Sequence, residues 1–243
     1  MNESLRYPGV DVPAPRNRSL LDRLFLDTAY SLTALPIGIL TFAAMVTGLS
    51  VGVSLVVIWV GIPILVGTLI AGRAFAHLER IRLRTLQDRA APTPEYVVAG
   101  DDAGPVRRLL TPLRDPQSWI DAVWGLVGFV TGLIAFVVTV TWWAVAAGGV
   151  TYWFWERWLP DTDDNETLAE LIGLGDGRGP DIWLNLAIGV LAVLLLPLVV
   201  RAVSMLHAGI AEAMLSGQRT YRPESDEYGE VAATGDLRLP VGG

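Results

Sequence analysis

Charge disappears from this chain in three long stretches. From Thr28 to Gly72 there are 45 residues without a charged side chain, from Ala122 to Trp155 another 34, and from Ile182 to Val200 a further 19. A helix crosses the core of a bilayer with about 20 apolar residues, and a charge at its centre costs about 2.5–3.5 kcal/mol on insertion scales. The pattern predicts transmembrane helices. The first run is too long for one helix, since 45 residues at about 1.5 Å each would reach about 68 Å. Gly48-Leu49-Ser50-Val51-Gly52 is the small-residue break near its middle. Helices are expected near 28–47 and 53–72, joined by a tight turn, and then near 122–147 and 182–200. The first run also far exceeds the apolar region of about 7–15 residues in a signal peptide.

The polar stretches organise the rest. Residues 1–18, with Pro8, Pro13 and Pro15, read as a mobile amino-terminal arm. Ser19 to Leu26 resembles a short interfacial helix. Residues 73–119 form one long connection. Its start continues the second helix, with Phe75, Leu78, Ile81 and Leu86 as the apolar positions. Pro92, Pro94, Gly100, Gly104 and Pro105 then mark a loop. The connection at 150–181 opens with Tyr152, Trp153, Phe154, Trp155 and Trp158, as expected of an aromatic belt at headgroup level. A polar tail follows at 218–243. The span 19–217 thus reads as a single four-helix membrane domain.

Arginine placement predicts the orientation. Four arginines precede the first helix, eight lie between the second and third, two in the 150–181 connection and four after the last helix. The positive-inside rule puts both termini and the 73–119 loop in the cytoplasm and leaves 150–181 outside, in a multi-pass protein of the cell membrane. Laying the first helix from Asp27 over the third from Asp121 aligns Leu32 with Leu126, Gly38 with Gly132, Phe42 with Phe136 and Thr47 with Thr141. Because both copies begin inside, the expected fold is all-α, with four transmembrane helices as two parallel-repeat hairpins.

Composition narrows the chemistry. Hydrophobic residues make up 52% of the chain and the mean hydropathy is +0.45. There is no cysteine, which excludes disulfides, thiolate nucleophiles and zinc–thiolate sites. Every basic residue is arginine, which removes a Walker lysine and a Schiff-base lysine. The net charge of −7 excludes nucleic acid as a partner. No nucleophile–base set appears, so no enzyme and no cofactor is expected.

Several residues carry candidate chemistry. Asp27 and Asp121 open helices, where a carboxylate suits the positive end as a cap. His77 and His207 read as interfacial histidines without metal-ligand spacing. Asp161, Asp163 and Asn165 match the first positions of a calcium loop, but Glu166 and Ile172 break the pattern. A stimulus-sensing surface is expected at Trp153, Trp155, Trp158, Asp161, Asp163 and Asp164. Gly125, Gly128 and Gly132 are small residues at spacings that allow close helix approach, inside the domain or across a homodimer seam. Arg73, Arg80 and Arg201 are candidates for coupling to the cytoplasm.

The segment from Arg23 to Tyr30, leading to Leu35-Pro36-Ile37-Gly38, together with Ile58 to Pro63, Arg73, Leu78-Glu79-Arg80 and Leu113 to Asp121, resembles a known family. This is the “putative sensor” domain found at the amino terminus of many membrane histidine kinases of high-GC bacteria, and also as stand-alone proteins. The resemblance covers about 20–217 and implies a sensing role. It assigns no catalytic or ligand residues. The expected function is a stand-alone membrane sensor module that acts through a protein partner in the membrane or cytoplasm and contacts membrane lipids. An accessory subunit of a larger membrane complex is the alternative. A small-molecule or lipid transporter is a second alternative.

Overall fold

The structure, a computed structural model, describes residues 18–88, 94, 96–100, 104–158, 168–175 and 177–216. Residues 1–17 of the expected arm, the tail at 218–243, and Asp161, Asp163 and Asp164 lie outside the described residues. The helices are α1 (Leu20–Ser54), α2 (Gly61–Leu86), α3 (Pro105–Arg114), α4 (Pro116–Val150), α5 (Tyr152–Trp155), α6 (Leu168–Leu171) and α7 (Arg178–Leu215). Four of them, α1, α2, α4 and α7, are long and apolar enough to cross a membrane. The chain is a multi-pass, all-helical membrane protein.

Each long helix outruns its apolar core, and local chemistry explains where it starts. Ser19 and Asp22 form a capping box at α1: the Ser19 hydroxyl accepts from the Asp22 amide at 3.1 Å, and the Asp22 carboxylate accepts from the Ser19 amide at 3.2 Å. Asp115 caps α4, accepting from the Ser118 amide at 3.2 Å, with Pro116 in the first helical position. Asp27 and Asp121 therefore do not serve as caps. Both lie inside their helices and are buried.

The turn between α1 and α2 falls at residues 55–60, later than the expected break at 48–52. Gly48 and Gly52 remain helical because they form the face that meets α2. A Cβ on Gly52 would stand 2.6 Å from Leu65 Cδ2, and one on Gly48 would run into the Thr68 side chain. Glycine here permits close approach; it does not end the helix. The turn closes through the Gly61 amide, which donates to the Leu55 carbonyl at 2.9 Å, with Trp59 left-handed at φ 66°.

Contacts along the helices give their relative directions. Gly125 of α4 lies against Met45 and Thr41 of α1, Phe129 against Gly38, and Gly132 against Ala34, and Trp143 Nε1 donates to Thr28 Oγ1 at 3.3 Å. Rising numbers on α4 meet falling numbers on α1, so the two are antiparallel. The pair α4/α7 is antiparallel too: Gly149 lies against Gly189, Trp142 Nε1 donates to the Ala192 carbonyl at 3.0 Å, and Thr131 meets His207. This corrects the expectation of parallel hairpins. The start of α1 and the α4–α7 connection lie toward the same end of the bundle. Arginine counting assigns sides to loops, but helix pairing is decided by which small-residue faces fit, here Gly38, Gly125 and Gly132 against Phe129, Met45 and Ala34.

A second correction concerns the faces of α2 and α7. Leu78 and Ile81, two of the expected apolar positions, are exposed, whereas Glu79, Arg80 and Arg82 are buried. On α7, Met205 and Leu206 are exposed, and Ser204 and His207 are buried. An apolar surface outside and ionic groups inside is the arrangement hydrocarbon imposes, because charges there must find partners within the protein.

Candidate functional site

The inward-facing polar residues of α1, α2, α4 and α7 gather in two buried sets. Glu79 stands at the centre of the first. Its Oε1 accepts from the Tyr30 hydroxyl at 2.6 Å, and its Oε2 takes Arg82 Nη1. Arg82 also donates through Nη2 to the Tyr30 carbonyl at 2.7 Å and to Thr33 Oγ1 at 2.9 Å. Its guanidinium lies over the Tyr30 ring at 4.6 Å, so it engages α1 by charge, hydrogen bond and ring face together. Arg82 Nε has no partner in the structure although it is buried.

His207 of α7 fills the next position. It is 3% exposed and lies between Tyr30, with ring centroids 5.4 Å apart, and Trp124, at 5.7 Å. Its Nδ1 is 2.8 Å from Thr131 Oγ1 on α4, and its Nε2 is 3.9 Å from Glu79 Oε1. A cavity of about 20 Å³ opens among Glu79, Arg82, Trp124, Gly125, Gly128 and His207. That is room for one water.

A second set of ion pairs ties the same helices together. Arg80 and Asp121 are 1% and 0% exposed and pair at 3.0 Å. Arg80 Nε also donates to the Leu215 carbonyl at 3.0 Å, at the end of α7, and Asp121 accepts from Gln117 at 2.9 Å. Tyr96, from the segment between α2 and α3, accepts from Arg80 at 3.1 Å and donates to Asp121 at 2.6 Å. Burial, reinforced by the hydrogen bond to Asp121, pushes the Tyr96 phenol up to about 12. Arg73 covers the Tyr96 ring at 4.4 Å and pairs with Asp115 at 2.8 Å, while Arg201 pairs with Asp27 at 3.2 Å. A fully buried pair such as Arg80–Asp121 adds little net stability, but it is costly to break from one side.

Of the expected coupling residues, Arg73 and Arg80 meet at Tyr96 in this second set, while Arg201, with its side chain 45% exposed, pairs separately with Asp27. Gly125, Gly128 and Gly132 also face inward. A Cβ on Gly132 would lie 3.2 Å from that of Ala34, one on Gly125 would lie 2.6 Å from Met45 Cγ, and one on Gly128 would press on the Trp124 ring at 2.8 Å. They pack within the domain and are not a free dimer seam. Trp153, Trp155 and Trp158 are exposed around Phe154, whose ring lies 6.0, 5.2 and 4.7 Å from theirs. Arg157 lies over the Phe154 ring at 5.1 Å, and Glu156 pairs with Arg178 at 2.8 Å across the connection. Arg82 was not singled out from the sequence; Tyr30 and Glu79 stood there only among the residues of the family resemblance, and His207, read as an interfacial histidine, is buried between Tyr30 and Trp124. The available signal was that Glu79, Arg80 and Arg82 share a helix with Leu78 and Ile81 directly after an apolar span, where a charged face turns inward.

Comparison with known proteins bears on what these residues serve. Neither a curated protein nor a solved structure matches the chain. A family model described as “Sensor: Putative sensor” matches residues 30–215, from the tyrosine of the first set to the last residue of α7. That span is more than half of the chain and contains α2 and α4 whole, α1 from Tyr30 and α7 to its end, so the protein belongs to this sensor family.

Proposed function

We propose that the protein is a sensing module of the cell membrane that carries no catalysis of its own and passes a stimulus to a protein partner. The observation that supports this reading is a pair of buried polar sets to which α1, α2, α4 and α7 each contribute a charged or hydrogen-bonding side chain. A helix that shifts must exchange ion pairs, and a stimulus that favours one set of pairs moves the whole bundle. The exposed aromatic cluster of Trp153, Trp155 and Trp158, continuing into the 161–175 segment with Asp161, Asp163 and Asp164, is the receiving surface. Arg73, Arg80 and Arg201 are the transmitting residues. The same reading takes the hairpins as copies related by a two-fold axis across α1 and α4. In the register that matches Asp27 with Asp121, Gly38 corresponds to Gly132 and Leu35 to Phe129. The contacts Gly38–Phe129 and Gly132–Ala34 are then nearly reciprocal.

The test is crosslinking in native membranes followed by identification of the bound chains, for the natural protein and for a variant with residues 161–175 replaced by a short Gly-Ser linker. A partner whose capture depends on conditions in the natural protein, and is constant in the variant, supports sensing. A partner held in fixed ratio under all conditions, and lost in the folded variant, would make the protein an accessory subunit.

A further inference from the structure

The surroundings of His207 allow two tautomers, set by where Thr131 directs its hydroxyl proton. Thr131 Oγ1 has one proton and lies 3.0 Å from the Val127 carbonyl, its helix-internal acceptor, and 2.8 Å from His207 Nδ1. When the hydroxyl donates to the Val127 carbonyl it accepts from His207, so that Nδ1 carries the ring proton and Nε2 presents a lone pair; this is the tautomer the proposal below takes and its test reads. That lone pair faces Glu79 Oε1 across 3.9 Å. Two acceptors opposed in a buried site repel unless a donor sits between them. The cavity of about 20 Å³ lies against both residues and against Arg82, whose buried Nε–H has no partner. A water there could donate to Nε2 and to Oε1 and accept from Arg82 Nε–H. Three hydrogen bonds are the usual complement of a buried water.

We propose that this cavity is a proton-binding site, in which a water bridges His207 Nε2 and Glu79 in the neutral state and a proton from solvent, taken up at Nε2, converts the bridge to a direct ion pair. Charged and polar groups face the ring from every helix packed against it. Glu79 from α2 favours the proton, Arg82 from α2 opposes it, and Tyr30 from α1 competes for the same Glu79 oxygen. Thr131 and Trp124 from α4 contribute no charge, and on α7 itself the nearest charged residues are Arg201 and Glu212. Protonation draws Glu79 Oε1 from the Tyr30 hydroxyl toward His207, which exchanges an α1–α2 contact for an α2–α7 contact. A metal is not the better occupant, because no group of three His, Asp or Glu suited to one forms among the described residues.

The inference deepens the sensing proposal by naming protons as a ligand of its first buried set, and its test reads the site without any partner. The chain has two histidines, so His77→Gln leaves His207 as the single reporter. The full chain carrying ¹⁵N-histidine is placed in lipid nanodiscs and titrated by NMR from about pH 8 to about pH 4, bracketing the ordinary histidine range. The expected result is a neutral ring protonated at Nδ1, giving way to imidazolium on acidification. Glu79→Gln should weaken proton uptake by at least about ten-fold, as loss of an adjacent opposite charge does. Circular dichroism on each sample confirms the fold. A ring protonated at Nε2 at neutral pH would overturn the proposal, as would a folded site with no titration down to about pH 4. If Glu79→Gln does not fold, the tautomer and titration of the His77→Gln chain decide alone.

Discussion

Replacing Asp121 with alanine removes the partner of Arg80 and leaves a guanidinium that is 1% exposed with no counter-charge. Breaking a buried pair from one side typically costs about 3–5 kcal/mol, because the remaining ion stays desolvated. Arg80 would keep its bonds to the Leu215 carbonyl and Tyr96, while Gln117 and Tyr96 would lose their acceptor. For a domain of this size each kcal/mol moves the midpoint by about 2–4 °C, so Asp121→Ala should melt about 6–20 °C lower. The double replacement Arg80→Met with Asp121→Leu removes both charges. It leaves the Leu215 carbonyl without Arg80, a loss of about 1–3 kcal/mol. The double variant should therefore melt above the single one. Thermal unfolding in detergent, followed by circular dichroism and by size-exclusion of heated samples, measures both. An Asp121→Ala protein that melts with the natural one, or a double variant no better than the single, would show that the Arg80 charge is not left desolvated.

Three further outcomes follow from the geometry. Gly149→Leu should prevent α4 and α7 from packing, since a Cβ there would stand 2.6 Å from Gly189 Cα, whereas Gly148→Leu meets nothing within 4 Å; equal yields of folded protein would show that the α4–α7 contact is not close. Leu20→Cys and Leu174→Cys, both at exposed positions of a chain without native cysteine, should react with impermeant reagents from the same side of sealed vesicles; reaction from opposite sides would restore the parallel hairpins. Tyr96 should ionise near 12 in the folded chain against about 10 in the unfolded one. With the folded value raised, its contribution is full below about pH 10 and is lost as pH rises toward 12, and the ultraviolet difference between natural and Tyr96→Phe proteins measures it.

What the sequence determined is the set of elements. Runs free of charge can only be helices in hydrocarbon, so the existence of α1, α2, α4 and α7, and the continuation of α2 beyond Arg73, were readable from letters alone. The family was readable for the same reason, because its motifs are the helix entries around Asp27, Pro63 and Asp121. Where α1 ends was not, since glycine in a membrane helix marks a packing face as readily as a break, and Gly48 and Gly52 are a face. The tertiary structure alone decided partners and directions. Pairing of α1 with α4 depends on how Gly38 meets Phe129 and Gly132 meets Ala34, which is shape across two distant segments. It also decided the site. A run such as Leu78-Glu79-Arg80-Ile81-Arg82 looks like a solvated helix face when water is assumed as the solvent. Once α7 and α1 close over it, the apolar residues face outward, and the three charges share one interior with Tyr30, Asp121 and His207.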